Sequence, residues 1–158
     1  MMRLLAIDPG PEESAYVLID PLVIHSFKAA NRDVLTGLIA EVGIDIAVCE
    51  RIRSYGMPVG AEVFETCEWV GRFWQSWVSS SLYREWHFVT RKESVLNLCG
   101  NPRGKDANVR QAIIDRFGGK DKAIGKKACP GVLYGVSGDC WAALAVGLTW
   151  MDRQKVEV

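Results

Sequence analysis

The chain has 158 residues, of which 49% are apolar and 24% are charged, and its formal net charge is zero. This length and composition are typical of one globular domain, which we predict over residues 1–158. No apolar run approaches the roughly 20 residues that span a bilayer, and the N-terminus lacks the features of a signal peptide, so we expect a cytoplasmic protein with no membrane partner.

The first half of the chain predicts three strands, a helix and a fourth strand. Residues 2–8, 14–19 and 22–27 are predicted as consecutive strands joined by short loops that contain Pro and Gly, which gives an antiparallel meander. A helix is predicted over about 32–42. The run over 44–49 is almost entirely apolar, as expected for a central parallel strand.

The second half alternates helices with one more strand. The predicted helices cover about 58–80, 93–98, 106–117 and 138–152, the fifth strand covers 85–90, and 118–135 is predicted as an exposed loop. Three consecutive strands followed by alternating helices and strands predict an α/β domain. Its mixed five-stranded sheet would combine the three-strand meander with two parallel strands, flanked by helices.

The helix predicted over 58–80 is rich in aromatic residues. Six residues share one face at helical spacing: Val63, Cys67, Val70, Phe73, Trp74 and Trp77. Phe64 and Trp69 fall off this stripe. They are either two partly exposed rings on a core helix or a second apolar patch used for dimerisation, and the sequence leaves both open.

The net charge of zero conceals an uneven distribution along the chain. Residues 1–50 contain three Lys/Arg and eight Asp/Glu, a net of −5, whereas residues 84–127 contain eleven Lys/Arg and five Asp/Glu, a net of +6. An acidic half beside a basic half suits a nucleic-acid enzyme, because metal ions bind among acids and phosphates bind the basic part. A solvated polar surface is the alternative.

Three acidic residues stand where predicted elements end or begin. Asp8 closes the first strand, Glu50 closes the fourth, and Asp139 opens the last helix. A carboxylate beside a buried strand is costly to desolvate without a partner, and hard divalent ions such as Mg²⁺ prefer carboxylate oxygens. We therefore predict one cluster of three acids around a cation, with three separate structural acids as the alternative.

This order of elements and acids resembles the ribonuclease H-like nucleases and, within them, the RuvC-type Holliday-junction resolvases. The similar segments are Ala6-Ile-Asp-Pro-Gly10 with Ser14-Ala-Tyr16, Glu50 at the end of strand four, Gly100–Val109, and Asp139–Leu148. The segment 54–60 looks more like the bacteriophage branch than the bacterial housekeeping one. One departure is that the family usually has two acids three residues apart on the last helix, whereas Asp139 has Val136 and Ala142 at those positions.

The resemblance implies a Mg²⁺- or Mn²⁺-dependent endonuclease that resolves four-way junctions, and other branched DNA, by paired symmetric nicks. Asp8, Glu50 and Asp139 would hold two ions roughly 4 Å apart. Two symmetric nicks imply a homodimer, and the family implies the cytoplasm of a bacterium or of a phage-infected host. A non-catalytic junction-binding protein of the same fold is the alternative. An actin-like ATP-binding protein would need two such domains, more than 158 residues provide.

The candidate DNA contacts lie just after Glu50 and in the basic half of the chain. They are Arg51, Arg53, Tyr55, Arg91, Lys92, Arg103, Lys105, Lys126 and Lys127. Tyr55 either stacks on an unpaired base or is an ordinary loop residue. Ser14 either touches the scissile phosphate or packs the second strand.

Overall fold

The computed structural model of the protein describes residues 2–21, 23–40, 43–80 and 84–156. The main sheet consists of β1 (Leu4–Asp8), β2 (Glu13–Asp20), β3 (Val23–Ala30), β4 (Ile46–Arg51) and β5 (Glu85–Thr90). The helices are α1 (Asn31–Ala40), α2 (Ala61–Val78), α3 (Arg91–Cys99), α4 (Asp106–Arg116), α5 (Lys120–Ala123) and α6 (Cys140–Val156). Residue 22, predicted to open the third strand, and residues 41 and 42, predicted to end the first helix, lie outside the described ranges. None of the helices described is long and apolar enough to cross a membrane.

The sheet has the predicted mixed topology, with the strand order β3-β2-β1-β4-β5. The first three strands form the antiparallel meander, and β4 and β5 add to it in parallel. Side chains alternate between the two faces of a strand, so β1 contributes Leu4 and Ala6 to one core cluster and Leu5 and Ile7 to the other. This central strand is therefore buried on both faces.

Helices cover both faces of the sheet. Helix α6 packs on the face that carries Leu4 and Ala6, and α1 and α2 pack on the opposite face. Gly147 allows α6 to approach closely, because a Cβ there would lie 2.6 Å from the Ile19 side chain and 2.9 Å from Ala6. The middle of α6 therefore packs directly against β1 and β2.

The buried face of α2 differs from the predicted stripe. The fully buried residues are Thr66, Val70, Phe73 and Trp77, whereas Cys67 and Trp74 are exposed and Trp69 is half-buried. The prediction was wrong at Cys67 and Trp74 because α2 carries two apolar stripes, and 3.6-residue spacing alone does not say which one meets the sheet.

The segment predicted as a loop over 118–135 contains short regular structure. Helix α5 is followed by the hairpin strands β6 (Gly125–Lys126) and β7 (Cys129–Pro130). Gly125 has a φ of +68°, and a Cβ there would lie 2.4 Å from the Cys129 carbonyl oxygen. The hairpin was missed because Gly, Lys and Pro signal turns and its strands have only two residues each.

Candidate active site

Two of the predicted acids lie side by side at one edge of the sheet. Strands β1 and β4 run parallel with Ile7 opposite Cys49, so the next residues, Asp8 and Glu50, lie beside each other at the carboxyl ends of these strands. Both point to the face covered by α6, since they share the alternation of Ala6 and of the buried Val48. The carboxyl ends of parallel strands are the usual place for a site in such folds.

Asp139 reaches the same place from the other side of the core. It directly precedes α6, and its carbonyl oxygen accepts hydrogen bonds from the N–H groups of Ala142 and Ala143 at 3.1 and 3.2 Å. Asp8, Glu50 and Asp139 line one open groove of about 750 Å³. The structure therefore brings the three predicted acids to one groove.

Two of the acids in the groove have raised pKa values. Burial raises the pKa of Asp8 from 3.8 to about 8, and the nearby carboxylates of Glu50 and Asp139 add to this effect. Burial also raises the pKa of Glu50, while the charge of Arg91 partly offsets it. Such perturbed carboxyls in a groove are typical of functional sites, because a bound cation relieves their repulsion.

Two basic side chains partner acids in the groove. Lys28 of β3 lies 2.9 Å from Asp139 and 3.2 Å from Glu13, and these contacts raise the pKa of Lys28. Arg91 forms an ion pair with Asp106, the first residue of α4. Arg91 and Asp106 line the groove together with the three predicted acids.

The donor set of the groove fits a hard divalent ion, because all its acidic groups are carboxylates and two of them have raised pKa values. Across the described ranges, however, no three His, Cys, Asp or Glu side chains are arranged to hold a metal ion. Asp139 forms its ion pair with Lys28 instead. The residues suited to hold an ion are therefore Asp8 and Glu50, with Asp139 available once it leaves Lys28.

Ser14 is placed in the interior rather than at the groove. Its side chain is buried, its hydroxyl accepts a hydrogen bond from the Gly10 N–H at 3.1 Å and donates one to Asn31 Oδ1 at 2.6 Å. Asn31 in turn donates to the Gly10 carbonyl oxygen at 2.8 Å. This network ties the loop after Asp8 to the start of α1, so the packing role that the sequence allowed for Ser14 is the one that its contacts support.

The candidates after Glu50 lie outside the groove lining. Arg51 points to the opposite face of the sheet from Glu50, and its guanidinium lies 4.1 Å from the centre of the Phe88 ring. Arg53 is exposed. Tyr55 is also exposed, and the Lys92 ammonium lies 4.3 Å from the centre of its ring. One face of that ring is therefore already covered.

The basic candidates occupy separate surfaces. Of these candidates only Arg91 lines the groove. Arg103 and Lys105 are exposed between α3 and α4, and Lys126 and Lys127 are exposed on the β6–β7 hairpin. The hairpin follows α5, whose Lys120 lines the groove.

Polar residues at or near the groove that were not found from the sequence include Lys28, Ser94, Asp106 and Lys120. Asp106 stands at the predicted start of a helix, where an acid is common for its interaction with the helix dipole. That position was the available signal, but it did not separate a groove residue from an ordinary helix terminus.

Comparison with known proteins shows the fold. RuvC of Thermus thermophilus matches with a TM-score of 0.69 over 99% of this chain and 97% of that chain, at 13% sequence identity. The T. thermophilus RuvC in complex with a Holliday junction substrate matches with a TM-score of 0.67 over the same shares, at 12% identity. No protein-family model and no curated protein matches the sequence. The chain therefore has a RuvC-like, ribonuclease H-like fold, as predicted.

Proposed function

We propose that this protein is a metal-dependent endonuclease that resolves Holliday junctions, and cleaves other branched DNA, by paired symmetric nicks. The observation that carries the proposal is the meeting of Asp8, Glu50 and Asp139 in one groove, at the carboxyl ends of the parallel strands of a RuvC-like fold. T. thermophilus RuvC has been solved with a Holliday junction substrate, and the shared fold makes the same DNA the first candidate here.

The three acids would hold the metal ions. Asp8 would be the central ligand, because the charges of both Glu50 and Asp139 act on its carboxyl group. Two Mg²⁺ or Mn²⁺ ions at these carboxylates would supply a water nucleophile at neutral pH and stabilise charge on the attacked phosphate. When a metal ion binds, Asp139 would exchange its ion pair with Lys28 for that metal ion.

The basic surfaces would hold the DNA beside the groove. Lys126 and Lys127 extend on a hairpin whose base is tight, since a Cβ at Gly131 would lie 2.1 Å from the Ala123 carbonyl oxygen. A short, closely packed hairpin keeps these charges in place relative to the groove. Phosphate contacts of this kind position the DNA without reading its sequence. Arg103 and Lys105, between α3 and α4, would contact phosphates in the same way.

Helix α2 provides a surface for a second copy of the chain. Its exposed apolar stripe, spaced by three or four residues, consists of Phe64, Cys67, Gly71, Trp74 and Val78. A Cβ at Gly71 would meet nothing within 4 Å, and glycine inside a helix costs about 1 kcal/mol relative to alanine. The fold of one chain therefore does not require this glycine, whereas close helix packing in a homodimer would.

The bacteriophage branch is part of this proposal, and a non-catalytic junction-binding protein is the alternative to it. The segment 54–60, which resembles the phage branch, is an exposed loop that follows Glu50 and would lie near the junction. A non-catalytic junction-binding protein would share the fold and the basic surfaces. The three groove acids favour the enzyme, because a DNA-binding surface alone has no use for a cluster of carboxylates that repels phosphate.

The test is cleavage of a synthetic four-way junction labelled on each strand in turn. In Mg²⁺ the protein should nick two opposite strands at symmetry-related positions, and in EDTA it should bind the junction without cutting it. A linear duplex of the same sequence is the matched control substrate. Tight binding without nicks in Mg²⁺ or Mn²⁺ would support the binding-only alternative.

A further inference from the structure

Part of the groove wall beside the three acids is formed by the start of α3. Strand β5 ends at Thr90, which pairs with Arg51 of β4, and α3 begins at the next residue without a loop. Arg91 is therefore held at the same sheet edge as Glu50. Among the residues of α3, Arg91 and Ser94 both line the groove and lie one helical turn apart.

The backbone at this helix start is fixed by a reciprocal cap. The Thr90 side chain accepts a hydrogen bond from the Glu93 N–H at 3.2 Å, and Glu93 accepts one from the Thr90 N–H at 2.7 Å. Glu93 also forms an ion pair with Arg153 of α6 at 3.3 Å. The positive end of the α3 dipole is thus held against the groove, where it favours an anion.

Ser94 supplies an independent sign of a ligand. It is 4% exposed, and its hydroxyl is buried with no hydrogen-bond partner among the described residues. A buried hydroxyl without a partner costs free energy, so such groups in native proteins usually meet a ligand or a bound water. Ser94 also lines the groove, so a ligand bound in the groove is a candidate for this missing partner.

We propose that Arg91 and Ser94 bind the phosphodiester that is cut, in the same groove as the three acids, and that Asp106 positions the Arg91 guanidinium for this contact. The inference rests on the proposed nuclease function. An arginine fork and a hydroxyl are suitable donors for the non-bridging oxygens of a phosphate. Asp106 is a positioning residue here, because it forms an ion pair with Arg91.

The same geometry explains why the acids and the phosphate can share one groove. Arg91 acts on both acids of the sheet edge, since its charge lowers the pKa of Asp8 and of Glu50 against the effect of burial. A guanidinium at this point reduces the repulsion that an incoming phosphate would meet. The ion pair with Asp106 is exposed on both sides, so it contributes little to folding stability and its variants should fold.

The first measurement is junction binding in EDTA over a range of salt concentrations. Arg91→Met should reduce the slope of log K against log salt by about one, the amount expected for one lost phosphate contact. Lys155→Met, near the far end of α6, is the matched control and should leave the slope unchanged. An unchanged slope in Arg91→Met would overturn the phosphate contact.

The second measurement is single-turnover cleavage in Mg²⁺. Arg91→Met should cut about 100-fold more slowly, as for the loss of one transition-state donor, with partial rescue in Arg91→Lys. Ser94→Ala should cut about fivefold more slowly while remaining at least as stable as the wild type, because it removes an unsatisfied hydroxyl. Wild-type cleavage rates in Arg91→Met and Ser94→Ala would overturn the proposal.

The role of Asp106 is decided by a double-variant comparison. Asp106→Asn alone should slow cleavage about tenfold without weakening binding in EDTA, and it should add no further loss in the Arg91→Met background, because it acts through Arg91. A further loss in that background, with a higher Mg²⁺ requirement, would instead make Asp106 a metal ligand and overturn its positioning role. A wild type that binds but never cuts would defeat the nuclease function alone, since the salt slope in EDTA still tests the phosphate contact.

Discussion

The Lys28 ammonium lies 2.9 Å from the Asp139 carboxylate, so an acid of the groove is already paired with a cation of the protein. Lys28 belongs to β3, an edge strand of the sheet, and Asp139 directly precedes α6. A metal ion that takes Asp139 as a ligand must compete with this ammonium. Lys28, on an outer strand of the sheet, should therefore affect the metal concentration that the groove requires.

Removing this competing cation should make the enzyme less demanding for metal. We expect Lys28→Met to lower the Mg²⁺ concentration for half-maximal cleavage by about two- to fivefold, because both the direct pairing and the general positive charge oppose metal binding. Lys155→Met, at the other end of α6, is the control and should leave this concentration unchanged. A raised Mg²⁺ requirement in Lys28→Met would show that Lys28 orients Asp139 instead of competing for it.

Asp8 should make the metal-free protein less stable as the pH rises. Its pKa is about 8 in the folded protein against an ordinary 3.8, so the folded state keeps a proton that the unfolded state has lost. The stability linked to this proton is fully present below pH 4 and is lost as the pH rises through 8. Asp8→Asn, which stays neutral, should be more stable than the wild type at pH 8 by on the order of a few kcal/mol.

Urea unfolding in EDTA at several pH values measures this difference. The advantage of Asp8→Asn should become much smaller at pH 4, where the wild-type carboxyl is protonated in the folded state and the pH is close to its ordinary pKa of 3.8 in the unfolded state. Asp45→Asn, the same substitution at an exposed site, is the control. An advantage of Asp8→Asn that does not change between pH 4 and pH 8 would contradict the raised pKa.

The β6–β7 hairpin should carry part of the DNA affinity. Replacing Lys126 and Lys127 together by alanine should weaken junction binding and reduce the slope of log K against log salt by up to about two. Fluorescence anisotropy across a salt series provides the slope, and the intact fold is checked by its melting temperature. If the double variant keeps the wild-type slope, the two lysines are solvated surface only.

The homodimer prediction is now best tested at Phe64. Trp69 is unsuitable, because it is half-buried and its ring contacts Phe73 and the Arg72 guanidinium, so its replacement would disturb the fold. Phe64 is 63% exposed, and Phe64→Glu should give a folded monomer that loses coordinated nicking of the two strands. Leu96→Glu, at an exposed apolar residue of α3, is the matched control. Sedimentation that finds a monomeric wild type at micromolar concentration, with and without DNA, would contradict the dimer.

The sequence predicts the fold and the three acids because both depend on local signals. Apolar runs end at Asp8 and Glu50, and parallel strands necessarily bring their ends to one edge. Lys28, Ser94 and Asp106 carry no such signal. Their place in or beside the groove depends on the twist of an edge strand and on how α3 and α4 pack, which are tertiary properties that no short pattern encodes.

The surface of α2 shows the same limit of prediction from sequence. The sequence distinguishes an apolar stripe but not its partner, so Trp74 and Cys67 were assigned to the core although they are exposed. Only the packed structure separates the stripe that meets the sheet from the stripe that faces outward. The stripe that faces outward is the one that bears on the proposed homodimer.

The central claim is that Asp8, Glu50 and Asp139 act together as one metal-dependent site for cutting a four-way junction. The most direct measurement is single-turnover cleavage of the junction in Mg²⁺ by Asp8→Asn, Glu50→Gln and Asp139→Asn, with junction affinity measured in EDTA on the same samples. Each variant should lose cleavage by several kcal/mol of transition-state stabilisation, roughly 1000-fold or more, and should bind the junction at least as tightly as the wild type. Wild-type cleavage in any one of the three variants would contradict the claim and remove that residue from the site.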